Sequence, residues 1–195
     1  ENVLLASEVV NGYHKKNRSP RITLKVDISK AFDSVLWDFL LATLNVMQFP
    51  PDFVACVRAC ITTPSLSLSI NGITDGYFRG KTGLRQGDPI SPLLFAVVMN
   101  VLSYMLNRGA EDGIFSYHPG CAGVKLTHLA FADDLLIFLE GTETSLAGIF
   151  TVLSQFEKFS GLEVNLAMSS MFSSGLSDQV QSNILNRFKL RSLPL

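Results

Sequence analysis

Two adjacent carboxylates, Asp133 and Asp134, stand between two apolar runs, Leu129 to Ala132 before them and Leu135 to Leu139 after. The pattern predicts two short strands joined by a tight turn, with the acids at its tip. Aspartate is common in turns, which is the plain reading of the pair. The sharper reading is a divalent-cation site, because Mg²⁺ takes hard carboxylate oxygens and usually only one or two of them. A third carboxylate decides between the two. From Ile22 to Val26 the residues alternate, with Ile22, Leu24 and Val26 on one face and Thr23, Lys25 and then Asp27 on the other. If that strand neighbours the hairpin in one sheet, three carboxylates converge on one edge, and their mutual repulsion calls for neutralising cations. Two Mg²⁺ ions about 3.5–4 Å apart promote in-line phosphoryl transfer, one acidifying the attacking hydroxyl and the other holding a triphosphate.

The surrounding elements must hold these strand ends rigid. Residues 2–13 predict a helix with Leu4, Leu5, Val9 and Tyr13 on one side, followed by Lys15, Lys16 and Arg18, and Ser19-Pro20 then breaks it. A helix is expected from Ser34 to Met47, capped by Asp33 and packed through Leu36, Phe39, Leu40, Leu44 and Met47. Another is expected from Phe53 to Ile61. Ser65 to Ile70 and Tyr77-Phe78 read as a hairpin around Asn71-Gly72. Pro92 to Leu106 is a buried helix, interrupted by Asn100 and Ser103 and too short to span a bilayer. Leu146, Ile149, Phe150, Leu153 and Phe156 mark a core-facing helix that Gly161 stops. Leu162, Val164 and Leu166 alternate as a strand, and a last amphipathic helix runs from Asp178 to Phe188. Helices interleaved with short hairpins indicate an α+β fold rather than a parallel α/β sheet.

With 195 residues, 47% of them hydrophobic and 17% charged, the chain can bury a core as one domain or as the main part of a larger one. A net charge of −1 does not mark a nucleic-acid binder, so a polynucleotide would have to be gripped by local patches or neighbouring segments. Cys56, Cys60 and Cys121 have no metal-ligand spacing; Cys56 and Cys60, four apart on a helix, read as small buried thiols in a reducing intracellular compartment. His128 reads as structural, and His14 and His118 lack a nucleophile pattern around them. A start at Glu1 and an end at Leu193-Pro194-Leu195 suggest an excerpt.

Three stretches occur in a telling order: Lys25-Val26-Asp27-Ile28-Ser29-Lys30-Ala31-Phe32-Asp33, then Gly83-Leu84-Arg85-Gln86-Gly87-Asp88-Pro89-Ile90-Ser91-Pro92, then Phe131-Ala132-Asp133-Asp134. Together they resemble the reverse transcriptases of non-LTR (long interspersed element-type) retrotransposons, especially plant ones. The resemblance extends to Asn2-Val3-Leu4-Leu5-Ala6 and to Ser160-Gly161-Leu162-Glu163-Val164-Asn165. It implies a right-hand polymerase palm, an antiparallel sheet backed by helices, with part of the fingers. Residues 1–20 would end a fingers segment, 21–175 would form the palm with a fingers/palm insertion at 50–92, and 176–195 would lead towards a thumb beyond the chain. It also implies that Asp27, Asp133 and Asp134 are catalytic and bind two Mg²⁺ ions, with Mn²⁺ as a substitute. The Ile28 carbonyl would complete the metal shell. Ala31, Phe32, Gln86, Lys30 and Arg85 would lie at the nucleotide, Phe32 as the aromatic gate against a ribose 2′-OH. Expected partners are an RNA template, a DNA primer or nicked target DNA, and a dNTP, with no membrane and a nuclear location.

The chain departs from the family pattern at Met168, where a lysine is usual. That lysine has been argued to protonate the leaving pyrophosphate, and methionine carries no proton to give. Two readings therefore stand open: an RNA-directed DNA polymerase fragment, and a non-catalytic relic of one. A host-recruited nucleic-acid-binding module is weaker, for lack of a basic patch.

Overall fold

The structure, a computed structural model, describes residues 2–11, 13 and 19–192. His14, Lys15, Lys16, Arg18 and the two chain ends lie outside the described residues. The alternating Ile22–Val26 run forms the centre of the sheet. β1 (Arg21–Val26) lies between β5 (Asp134–Glu140) and β6 (Ser170–Ser174), antiparallel to both. β4 (His128–Phe131) and the short β7 (Arg191–Ser192) complete the order β4-β5-β1-β6-β7, with β6 and β7 parallel. Ile22, Leu24 and Val26 are fully buried, opposite Leu139, Ile137 and Leu135. The apolar faces of three helices cover this side: α3 (Trp37–Val46), α5 (Ser91–Glu111) and α6 (Glu143–Ser160). Full burial of one such aliphatic side chain is worth about 1.5–3 kcal/mol, so this face dominates the fold.

The other face of β1 is closed at one end and open at the other. Thr23 is buried rather than facing solvent, because the Tyr13 hydroxyl covers it and hydrogen-bonds both Thr23 Oγ1 at 2.8 Å and His118 Nε2 at 2.9 Å. Lys25 is exposed and Asp27 half-buried, so the open end carries the candidate chemistry.

Several expectations hold. α4 (Pro51–Thr62) follows Pro50, and β2 (Ser65–Ile70) and β3 (Ile73–Arg79) pair antiparallel around Asn71-Gly72. The Pro92–Leu106 run lies in a buried helix as expected, with Leu94, Phe95, Val98, Leu102 and Leu106 in the core, but the expectation that it is too short to span a bilayer is corrected: α5 is 21 residues long, enough by length and composition to cross a membrane. α6 starts at Thr142, whose hydroxyl accepts the Ser145 N–H, and ends at Gly161. α7 (Asp178–Phe188) is capped by Ser177, and Phe188 stacks on Phe150. His128 is structural: its ring nitrogens bond Thr127 and Ser103 hydroxyls.

Others are corrected. α1 (Asn2–Val10) leaves Leu4 and Leu5 exposed and sets Asn2, Val3 and Ala6 along a groove over β4 and β5. The expected Ser34–Met47 helix is broken: α2 (Ala31–Ser34) ends at extended Val35 and Leu36 before α3 begins. Asp33 therefore lies inside α2 and caps nothing, and Met47 is exposed. Cys56 and Cys60 are exposed because α4 packs through Val54 and Val57; only Cys121 is buried. Leu162–Leu166 makes a single bridge, Val164 to Ile28, and then turns, so the strand begins at Ser170.

Burial, aided by the nearby Arg21 charge, pushes His118 from 6.5 down to about 4. The folded protein therefore keeps it neutral where the unfolded chain takes up a proton. Its contribution is complete above about pH 6.5 and is lost as pH falls through that window towards 4, on the order of 2–3 kcal/mol. Urea midpoints measured from pH 7 to pH 4.5 should fall steeply in the native chain and less steeply in His118→Gln. Parallel curves would sink this assignment.

Candidate active site

The structure brings the sequence-predicted strand ends together. The β1–β5 register runs from Arg21 opposite Glu140 to Val26 opposite Leu135, so Asp27, which follows Val26, and Asp134, which precedes Leu135, lie at the same end of the paired strands. β4 and β5 pair Phe131 with Asp134, leaving Ala132 and Asp133 as the two turn residues, with Ala132 at φ 52°. Lys25, Asp27 and Asp134 share the open face, and Lys25 Nζ lies 3.5 Å from Asp134 Oδ1. Asp133 and Asp134 are exposed.

The carboxylates themselves do not form a closed cage. Among the described residues, no three His, Cys, Asp or Glu side chains meet closely enough to hold an ion. Asp27, Asp133 and Asp134 thus share one end of the sheet, and their side chains do not converge as expected. The donor set still suits a hard divalent cation, which keeps several waters and needs only one or two carboxylates from the protein.

Asp27 is fixed through its backbone. Its N–H donates to Ser169 Oγ at 3.1 Å, and its carbonyl accepts the Asn165 N–H at 2.8 Å. Ser29 N–H reaches the Glu163 carbonyl at 2.9 Å. Ile28, between them, has a buried side chain, and its carbonyl has no backbone hydrogen-bond partner among the described residues. Met168, next to Ser169, is exposed beside Asp27. No motif or spacing pointed to the Ser169 hydroxyl. Lys25 could have been found from its period-two spacing to Asp27.

The two other candidate stretches are zipped to each other. Leu84 N–H donates to the Phe32 carbonyl at 2.7 Å and Gly83 N–H to the Val35 carbonyl at 2.8 Å. Trp37 Nε1 donates to the Gly83 carbonyl at 2.7 Å, and Thr82 Oγ1 to the Asp33 carbonyl at 3.2 Å. Gln86 is exposed, with its amide 3.5 Å from the Asp33 carboxylate, at the outer limit of a hydrogen bond. A groove of about 430 Å³ runs along this seam, lined in part by Asp33, Trp37, Gly83, Arg85 and Gln86. Phe32 is half-buried and stacks on Phe95, ring centroids 4.7 Å apart, so it is both packing and surface. Ala31 is buried beneath it. Lys30 is exposed in a left-handed conformation, φ 46°. Arg85 is turned to Asp88, Nη2 to Oδ2 2.7 Å, so any phosphate must compete with that ion pair.

Glycine is required at position 83. Its φ is +90°, and a Cβ there would lie 2.6 Å from the Asp33 carbonyl oxygen. Gly87 has a similar φ of +86° but open space around it. Gly87→Ala should therefore cost only the conformational strain, about 1–2 kcal/mol. Gly83→Ala should cost at least about 2 kcal/mol more, because the clash is with backbone. Equal losses in urea unfolding would show that the 32–35 and 82–84 backbones are not packed this closely.

A family model described as reverse transcriptase (RNA-dependent DNA polymerase) matches residues 4–184. The Retrovirus-related Pol polyprotein of a type-2 R2 retrotransposable element of Drosophila melanogaster is 32% identical over 170 residues, 85% of this chain and 15% of that protein. That of a type-1 R2 element of Popillia japonica is 27% identical over 164 residues, 84% of this chain and 26% of its own length. The chain thus spans about a quarter or less of these polyproteins. Among solved structures, apo telomerase of Candida tropicalis lacking its C-terminal domain superposes with a TM-score of 0.65 at 12% identity, covering 91% of this chain and 35% of that one. A likeness at that identity speaks for the fold.

Proposed function

The chain belongs to the reverse transcriptase (RNA-dependent DNA polymerase) family, with non-LTR retrotransposon polyproteins as relatives, and from that premise we propose that it is the palm, with part of the fingers, of an RNA-directed DNA polymerase. The observation that carries the reading is the β1–β5 register, whose last pair, Val26 with Leu135, leaves Asp27 and Asp134 at one end of the sheet beside the Ala132-Asp133 turn. In this reading residues 21–175 are the palm with an insertion at 50–92, residues 1–20 end a fingers segment, and 176–195 lead towards a thumb.

The reaction is attack of a primer 3′-hydroxyl on the α-phosphorus of a dNTP, forming a phosphodiester and releasing pyrophosphate. Asp27, Asp133 and Asp134 would hold the divalent ions, Asp27 and Asp133 being the least replaceable, with the Ile28 carbonyl as a further oxygen donor. When bound, a pair of Mg²⁺ ions, or Mn²⁺ in their place, supplies activation of the hydroxyl and charge neutralisation at the leaving oxygen. Phe32, braced by Phe95, presents an aromatic edge where a ribose 2′-OH would sit. Ala31 sets that ring's backbone, and Gln86 supports the base pair from the seam it shares with Asp33. Lys30 and Arg85 are cations within reach of phosphates. The template is RNA and the primer a DNA end, including a nicked target, which places the reaction in the nucleus.

The second reading is a non-catalytic relic. Met168 favours it, since no proton donor stands where the family pattern has lysine. Primer extension on an RNA template with dNTPs and Mg²⁺ tests the choice, with Asp133→Asn as control. The polymerase reading expects incorporation that falls by about 10²–10³-fold in the control, the scale of losing a charge-stabilising group at a reacting centre. Folded protein that incorporates nothing, or a control that matches the native chain, would leave the relic reading standing.

A further inference from the structure

Lys25 is a cation on the one part of the sheet that carries the candidate acids. It lies two residues before Asp27 on the same strand face, and its ammonium meets Asp134 at 3.5 Å. Both side chains are substantially solvent-exposed, 49% and 69%. A pair of this kind adds little to folding stability. Its consequence is geometric and electrostatic. Asp134 is paired with Lys25, while Asp133, exposed in the turn, has no ion-pair partner among the described residues. The ammonium also removes one unit of negative charge from a corner that would otherwise hold three carboxylates.

We infer that Lys25 is a positioning residue that sets the charge and the carboxylate geometry of the ion site, an inference resting on the two-ion reading above. With the ammonium in place, Asp27 and Asp133 are the first oxygens a cation meets, and Asp134 is held in reserve beside them. Without it, Asp134 is released to the same cation. The site becomes more negative and binds an ion more tightly, in a geometry that is wrong for transfer.

The direct test is Mn²⁺ binding followed by electron paramagnetic resonance, on the full chain without nucleic acid, comparing the native protein with Lys25→Met and Lys25→Arg. Lys25→Met is expected to bind Mn²⁺ about three- to tenfold tighter, the size expected of one unit charge a few ångströms away at a solvent-exposed site. Lys25→Arg restores the native affinity. In primer extension, Lys25→Met lowers kcat and leaves KM for primer-template unchanged. Urea midpoints of the variants, expected to match the native chain, exclude unfolding as the cause. Equal or weaker Mn²⁺ affinity in Lys25→Met overturns the inference while leaving the ion site intact. A raised KM for primer-template with unchanged Mn²⁺ affinity also overturns it, assigning Lys25 to nucleic-acid phosphate instead. If none of the three proteins binds Mn²⁺, the two-ion reading fails and the role of Lys25 fails with it.

Discussion

The stretch from Asp27 to Leu36 has almost no regular structure of its own, and half-buried backbone must still be hydrogen-bonded. It contains one helical turn, α2, between the end of the central strand and the start of α3. Its polar backbone groups are satisfied from two sides. On one side, Asn165 and Glu163 pair with Asp27 and Ser29, and the Ser160 carbonyl accepts the Leu36 N–H at 2.8 Å. On the other, Gly83 and Leu84 donate to Val35 and Phe32. Both straps depend on glycine at the point of closest approach: Gly83 against Asp33, and Gly161, at φ +78°, against the Ser34 carbonyl, where a Cβ would come within 2.5 Å. Asp27, Phe32 and Gln86 come from distant parts of the chain, and these straps give them a common frame.

Electrostatics acts on that frame rather than building it. The acids sit at the open end of a face whose other end is sealed by Tyr13, Thr23 and His118. Hydrogen bonds anchor β1 at the sealed end, and the open end leaves the carboxylate oxygens exposed to solvent. The carboxylates are not drawn into a cage, because uncompensated like charges avoid one another and Asp134 has a nearer partner in Lys25. Burial lies beneath the site and hydrogen bonding lies around it. Charge is concentrated only at its surface, which fits a protein whose net charge is −1.

The parts of the fold dictated by side-chain period were legible in the sequence. β1, the acidic hairpin, the Asn71-Gly72 hairpin, α4, α6 and α7 all follow from alternation, helical spacing and caps. The α+β class followed from these, whereas the pairing of β1 with the acidic hairpin entered only as a condition, because alternation does not say which strands are neighbours. What escaped depended on partners remote in sequence. The break at Val35-Leu36 is imposed by Gly83 and Ser160, whose backbones bond there; no local propensity announces it. β6 is serine-rich and was masked by the more apolar alternation of Leu162, Val164 and Leu166. The Ser160 hydroxyl holds Leu162 in place, and Asn165 turns the chain through its carbonyl and side chain before the strand can start. Ser174 is buried by bonding the Tyr13 carbonyl, a contact spanning 161 residues. The cysteines of α4 were misplaced because Val54 and Val57 define its packed face. Among the site residues, the Asp-Asp turn and Asp27 were found by residue type, whereas Arg85 is held by Asp88 in a way spacing could not reveal.

Two straps together hold the Asp27–Leu36 segment. Native-state hydrogen exchange on Gly161→Ala measures it directly. Gly161 lies on one strap, and the amides of Gly83 and Leu84 lie on the other. Ser29 and Leu36 are expected to lose protection in the variant, and Gly83 and Leu84 to lose it with them, since their acceptors belong to the same segment. Loss confined to Ser29 and Leu36, with Gly83 and Leu84 still fully protected, would contradict it by showing that the two straps act independently.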